Sequence, residues 1–255
     1  MRIIRYQEQG SVHYGWVLGD KVGTIEGDPY GAFQRGEATR PLSELTLLPP
    51  VSPSKIICVG RNYVAHAKEL GNEVPEVPML FLKPPSSLLA PGGTIVLPPQ
   101  TQQVEHEAEL AVVIGKRGRW IEPDDIKDHI LGYTIANDIT ARDLQKRDGQ
   151  WTRGKGFDTF CPFGPWVETD FDPADAVVSC SVNGELRQMG STRDMIFSVR
   201  QLLAYISSVM TLEPGDLVLT GTPAGVGPLK DGDSLVTSIE GLGELHNSVV
   251  AEPVR

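Results

Sequence analysis

Acidic and apolar residues meet in one stretch, Val104-Glu105-His106-Glu107-Ala108-Glu109-Leu110-Ala111-Val112-Val113-Ile114, and no other part of the chain limits its fold as tightly. The pattern predicts a β-strand. Side chains alternate across a strand, so Glu105, Glu107 and Glu109 share one face while His106, Ala108, Leu110 and Val112 share the other. The closing Leu-Ala-Val-Val-Ile run is apolar on both faces, which carries the strand into a core. Carboxylates stacked at the edge of a core repel one another and lose hydration unless protons or a cation compensate. A solvated strand end would account for Glu105 alone. For Glu107 and Glu109 together, a divalent cation is the simpler explanation.

Composition removes several function classes. The 255 residues suffice for one large core, or for a core with a small appendage. A formal net charge of −10 without any Lys/Arg block argues against a nucleic-acid partner. No apolar run approaches membrane-spanning length, so no membrane partner is expected. The start, Met1-Arg2-Ile3-Ile4-Arg5-Tyr6, is too short and too polar for a signal peptide. Cys58, Cys161 and Cys180 are odd in number and widely spaced, which points to reduced thiols in a cytoplasmic protein. With 20 prolines and 27 glycines, many turns and a β-rich architecture are expected.

Along the chain, residues 1–49 read as a small N-terminal β-rich domain, with strands over 3–6, 12–18 and 21–24 and a tight Gly19-Asp20 turn. Leu48-Pro49-Pro50-Val51-Ser52-Pro53 is a stiff connector, and residues 50–255 form the catalytic domain. There, residues 55–59 predict a buried strand, followed by a short helix over 63–70 capped by Asn62 and ended by Gly71. A second strand is expected over 131–138 and a short helix over 140–147. A hairpin turns at Asn183-Gly184, a long helix covers 197–210, and strands over 217–220 and 234–239 close the chain. The alternation is too irregular for a doubly wound or eight-fold barrel fold, leaving a mainly β, mixed α+β domain.

A third carboxylate, Asp138, ends the strand Gly132-Tyr133-Thr134-Ile135-Ala136-Asn137, where functional groups emerge from a rigid scaffold. By itself it reads as a cap or turn residue. With Glu107 and Glu109 it completes an all-oxygen set that favours Mg²⁺, Mn²⁺ or Ca²⁺ over zinc.

Five motifs in consistent order over about residues 50–245 give the chain a resemblance to the fumarylacetoacetate hydrolase family. They are Gly60-Arg61-Asn62-Tyr63 with His66 and Glu69; His106-Glu107-Ala108-Glu109-Leu110; Asp138-Ile139-Thr140-Ala141-Arg142-Asp143; Lys155-Gly156-Phe157-Asp158-Thr159-Phe160-Cys161-Pro162; and Leu219-Thr220-Gly221-Thr222-Pro223-Ala224-Gly225-Val226-Gly227. The resemblance implies a rolled, mixed β-sheet catalytic domain, a homodimer, and one Mg²⁺ or Mn²⁺ per chain held by Glu107, Glu109 and Asp138. It implies small 2-oxo acid substrates and three reactions: hydrolysis of acylpyruvates, decarboxylation of oxaloacetate-like acids, and isomerisation of hydroxydienoates. It also places Arg142 and Gln145 in the substrate pocket, and the His66–Glu69 pair on a mobile lid over residues 62–75.

The residue chemistry is compatible with these roles. His66 and Glu69 are spaced i, i+3 and share a helix face, the arrangement of an oriented general base, although a surface pair has the same spacing. Lys155, between Gly154 and Gly156, can compensate an enolate or can be a solvated loop lysine. Arg142 could equally form a structural ion pair. Gly221-Thr222-Pro223 offers a hydroxyl and backbone N–H groups to a substrate carboxylate. This segment lacks the Gly-Lys-Ser/Thr ending of a phosphate loop. Lys83-Pro84-Pro85-Ser86-Ser87 reads as a rigid structural loop. His13, His106, His129 and His246 show no partner, and Cys58 and Cys161 read as packing residues.

Three functions compete. The favoured one is a metal-dependent hydrolase cleaving a C–C bond in an acylpyruvate-type 2,4-dioxo acid such as fumarylpyruvate or acetylpyruvate. The second is a decarboxylase or tautomerase of oxaloacetate type, or a 2-hydroxyhepta-2,4-diene-1,7-dioate isomerase, at the same site. The third, a non-enzymatic β module with a structural ion, has no use for His66, Glu69 or Lys155.

Overall fold

The computed structural model describes residues 1–253. Its architecture is mainly β, of α+β class, with strands in three sheets of 13, 5 and 3 members. The centre of the largest sheet runs, in hydrogen-bonded order, Cys161–Glu168, Ile130–Asn137, Ala108–Ile114, Leu217–Leu219, Ile56–Gly60 and Met79–Lys83. Leu217–Leu219 pairs in parallel with Ile56–Gly60, while the other neighbours in this series are antiparallel. The sheet is therefore mixed, as expected.

Ala108–Ile114 is buried along its whole length, and each face packs into a different cluster. Leu110, Val112 and Ile114 meet the second sheet and the long helix, whereas Ala111 and Val113 meet Ile56, Cys58, Leu217 and Leu219. That is the two-faced burial its apolar run demands. The second sheet orders Thr94–Leu97, Gly243–Ala251, Ser234–Ile239, Val177–Val182 and Glu185–Ser191. Helix Val199–Val209 starts from a capping box in which Ser198 and Gln201 exchange hydrogen bonds, so Phe197 falls outside it.

Strand Arg2–Glu8 pairs antiparallel with Cys161–Glu168, so the N-terminal strands extend the main sheet. They also enclose a small cluster of their own: Ile4, Tyr6, Val17 and Val22.

Several local expectations are corrected. The acidic stretch is two strands, Val104–His106 and Ala108–Ile114, interrupted at Glu107. Asn62 does not cap helix Val64–Glu69; its amide instead bonds the backbone of Phe197 and Thr220. Thr140–Ala141 is a short strand, and the helix begins at Arg142. Lys155 ends a short helix, Thr152–Lys155, and is buried rather than solvated. Gly154 allows that helix to lie close, since a Cβ there would sit 2.9 Å from the Gln145 nitrogen.

Candidate active site

Strand pairing builds the acidic cluster. Ala108 lies opposite Asn137, which brings the residue after each strand end together, and the Asp138 N–H donates to the Glu107 carbonyl at 2.8 Å. One carboxylate oxygen each from Glu107, Glu109 and Asp138 then lies within 4.8 Å of the others. All three side chains are buried.

Three buried cations answer this charge. Lys155 Nζ donates to Glu107 Oε2 at 2.8 Å and to Asp138 Oδ2 at 2.5 Å. Arg142 bridges Glu105 Oε2 at 2.7 Å and Glu107 Oε1 at 2.5 Å. Lys83 Nζ donates to Asp138 Oδ1 at 2.6 Å and to the Ile139 carbonyl at 3.1 Å. The carboxylates of Glu105, Glu107 and Asp138 thus each touch a basic group. Among the described residues Glu109 touches none: its Oε2 accepts the Gly221 N–H, at 2.7 Å.

The electrostatics follow from this division. Burial pushes the Glu107 carboxyl upward, but Lys155 and Arg142 outweigh it and hold the group well below the usual carboxylate range. Burial raises Glu109 far above that range, and the charges of Asp138 and Glu107 add to the effect. Burial works against the charged form of Lys155, yet Asp138 and Glu107 keep its pKa above the ordinary lysine value. A buried carboxylate without a basic partner, converging with two more, fits a hard divalent cation such as Mg²⁺ or Mn²⁺. Glu107, Glu109 and Asp138 are the residues that would hold it.

His66 lines the same small pocket, of about 50 Å³, as these carboxylates. It is 4 % exposed, and its Nδ1 lies 3.3 Å from Glu69 Oε2. Glu69 Oε1 accepts the Gly225 N–H at 2.9 Å, so the acid of the pair is tied to the loop after Thr222. Nε2 remains as the ring atom available to a substrate.

Arg142, Gln145 and Thr222 also line this pocket. The structural ion pair considered for Arg142 is present, and its remaining terminal nitrogen donates to Gln145 Oε1 at 2.6 Å. Two donors expected to be free for a substrate carboxylate are not free. The Gly221 N–H is bound to Glu109, and the Thr222 hydroxyl donates to the Ala108 carbonyl at 2.8 Å. Gly221 needs its glycine for this turn: φ is +99°, and a Cβ would lie 2.7 Å from that of Asn62.

Lys83, expected in a rigid structural loop, instead ends strand Met79–Lys83 with its ammonium against Asp138. Gln188 and Asn137 also serve the site without a local sequence signal. Asn137 Oδ1 accepts the Glu107 N–H at 2.8 Å, and Gln188 Oε1 accepts the Ala108 N–H at 3.0 Å. His106 Nδ1 meets Gln188 Oε1 at 2.8 Å, away from the carboxylate cluster.

Comparisons with known proteins agree with this geometry. Residues 55–250 match the family model described as fumarylacetoacetate hydrolase C-terminal, and residues 1–50 match one described as Rv2993c-like, N-terminal. A human mitochondrial oxaloacetate tautomerase is 48 % identical over 223 residues, covering 82 % of this chain and 71 % of its own. A solved 2-hydroxyhepta-2,4-diene-1,7-dioate isomerase from Mycobacterium marinum is 43 % identical, covers all of both chains and superposes with a TM-score of 0.93. A fumarylacetoacetate hydrolase from Exiguobacterium antarcticum is 39 % identical, covers 99 % of this chain and 100 % of its own, and gives 0.85. No helix among the described residues is long and apolar enough to cross a membrane.

Proposed function

The chain belongs to the fumarylacetoacetate hydrolase family, and from that premise we propose that it is an enzyme moving a proton on a small 2-oxo acid, as a keto–enol tautomerase or isomerase. One observation carries the reading: His66, oriented by Glu69, shares a small buried pocket with Glu107, Glu109 and Asp138.

A divalent cation held by the three carboxylates would supply fixed positive charge for an enolate oxygen. The chain's own groups do the rest. His66 Nε2 takes a proton from the carbon next to the oxo group, and the C–H electron pair becomes the C=C bond as negative charge moves to oxygen. Glu69, at 3.3 Å, holds the imidazole in place and stabilises its protonated form. Lys155 adds positive charge at the pocket floor. Reprotonation at oxygen gives the enol, and the reverse sequence restores the ketone; no covalent enzyme intermediate is needed. Cys58 and Cys161 are fully buried.

Hydrolysis of an acylpyruvate is the second reading, since the same dyad can take a proton from water instead of carbon. It ranks first on sequence alone. The tautomerase at 48 % identity and the isomerase at 43 % favour proton transfer over the hydrolase at 39 %. The homodimer is part of the proposal, and sedimentation at micromolar concentration tests it.

The deciding experiment follows ultraviolet absorbance of oxaloacetate enol, the hydroxydienoate, fumarylpyruvate and acetylpyruvate with Mg²⁺ or Mn²⁺. Accelerated enol–ketone exchange without release of pyruvate supports the proposal. Rapid C–C cleavage of an acylpyruvate with no tautomerisation would replace it with the hydrolytic reading.

A further inference from the structure

Glu107 and Glu109 converge at an interruption of their strand. Residues i and i+2 on a strand are separated by about 6.5–7 Å along its axis. Here one oxygen from each lies within 4.8 Å of the other and of Asp138. The strand is interrupted at Glu107, between Val104–His106 and Ala108–Ile114. A break in a buried strand leaves backbone N–H groups that must find partners.

Two side-chain amides fill that role. The Glu107 N–H goes to Asn137 Oδ1 and the next N–H, of Ala108, goes to Gln188 Oε1. Gln188 does more than cap a donor. Its Oε1 also accepts from His106 Nδ1 at 2.8 Å, and its Nε2 donates to Thr222 Oγ1 and the Pro223 carbonyl, both at 2.8 Å. Both hydrogens and both lone pairs of the amide are used, and the residue has no exposed surface. Gln188 projects inward from Glu185–Ser191 between exposed Arg187 and Met189, and it contributes nothing to the pocket lining.

We propose that Gln188 is a positioning residue: its amide clamps the strand break to the Gly221-Thr222-Pro223 turn and so sets the convergence of the Glu107 and Glu109 carboxylates. The turn supplies the Gly221 N–H that holds Glu109, while the break supplies Glu107, so one amide fixes both acids against each other. The inference rests on the proposed function only for the ion that the carboxylates would hold.

The test uses Gln188→Met, which keeps length and loses every hydrogen bond, and Gln188→Glu, which keeps the acceptor end alone. Ser207→Ala is the control. Ser207 is equally buried, and its hydroxyl accepts the Ile121 N–H at 2.9 Å, remote from the pocket. Crystal structures of wild type and Gln188→Met, both without metal, should show the carboxylates of Glu107 and Glu109 moving apart in the variant. Mn²⁺ affinity should fall about 10–100-fold in Gln188→Met, the usual scale for groups that orient metal ligands, and less in Gln188→Glu. Ser207→Ala should lose stability and keep wild-type Mn²⁺ affinity. Superposable carboxylates in Gln188→Met would overturn the proposal, as would an equal Mn²⁺ loss in Ser207→Ala. If wild type binds no Mn²⁺, the metal reading fails while the two crystal structures still decide the role of Gln188. If Gln188→Met does not fold, the metal-free crystal structure and Mn²⁺ affinity of Gln188→Glu decide instead, since that variant loses both Nε2 bonds to the Thr222-Pro223 turn. Weaker Mn²⁺ binding then supports the clamp, and unchanged binding with unmoved carboxylates refutes it.

Discussion

Lys83 Nζ lies 2.6 Å from Asp138 Oδ1, and neither side chain is more than 1 % exposed. Lys155 holds the other oxygen of the same carboxylate, so Asp138 is neutralised from both sides. Removing one member of a buried pair leaves an uncompensated charge, at a cost of about 3–5 kcal/mol. Lys155 still pairs the other oxygen of Asp138, so Lys83→Met should lower the unfolding free energy by less than that in urea titrations. It should also tighten Mn²⁺ binding, because the site becomes more negative. Weaker Mn²⁺ binding would mean that Lys83 matters by orienting Asp138 rather than by its charge.

His66 has no contact with Glu107, Glu109 or Asp138 in the hydrogen-bond network; its partner is Glu69. His66→Ala should therefore leave Mn²⁺ affinity near wild type while kcat falls about 10²–10⁴-fold, the range for a lost general base. Asp138→Ala should abolish both. Steady-state rates of oxaloacetate enol exchange, with Mn²⁺ binding followed by calorimetry, separate the two variants. Full activity in His66→Ala would remove it from the mechanism.

What the sequence discloses depends on how far apart the interacting residues are. Glu107, Glu109 and Asp138 are legible because alternation and strand ends are local properties. The Lys83–Asp138 pair spans 55 residues and the Gln188–Ala108 bond spans 80, and neither leaves a local trace. Asn62 carries a strong local signal for a helix cap, but partners 135 and 158 residues away claim its amide. Strand Gly243–Ala251 is not evident in the sequence because Asn247 takes an inward position between Leu245 and Val249 and blurs the apolar alternation. Its amide bonds the Gly93 carbonyl at 2.9 Å, which makes the burial tolerable.

The three cysteines should be inert in the native protein. Cys58, Cys161 and Cys180 are free and buried. Burial pushes the Cys161 and Cys180 thiols up to about 12, and raises Cys58 well above its ordinary value. At pH 8 a thiol-reactive disulfide reagent should label none of them until denaturant is added, and then all three. Fast labelling of the native protein would show that one of them becomes accessible through local opening.

Glu109 should couple cation binding to pH. Burial, with Asp138 and Glu107 nearby, holds its carboxyl well above the usual range, so ionising it is harder than ionising a solvent-exposed glutamate. A raised folded pKa gives stability that is fully present below the unfolded value of about 4.3. That stability is lost as pH rises through the folded value. A bound divalent ion needs the ionised carboxylate, so binding must expel the proton wherever Glu109 is protonated. Mn²⁺ affinity should accordingly increase with pH until the folded carboxyl has ionised. Calorimetry in buffers of different ionisation enthalpy should detect release approaching one proton per ion at the acidic end. Glu109→Gln, which has no proton to expel, should bind Mn²⁺ more weakly and without buffer dependence. Wild-type heats that do not vary with buffer would show that binding releases no net proton and overturn this coupling.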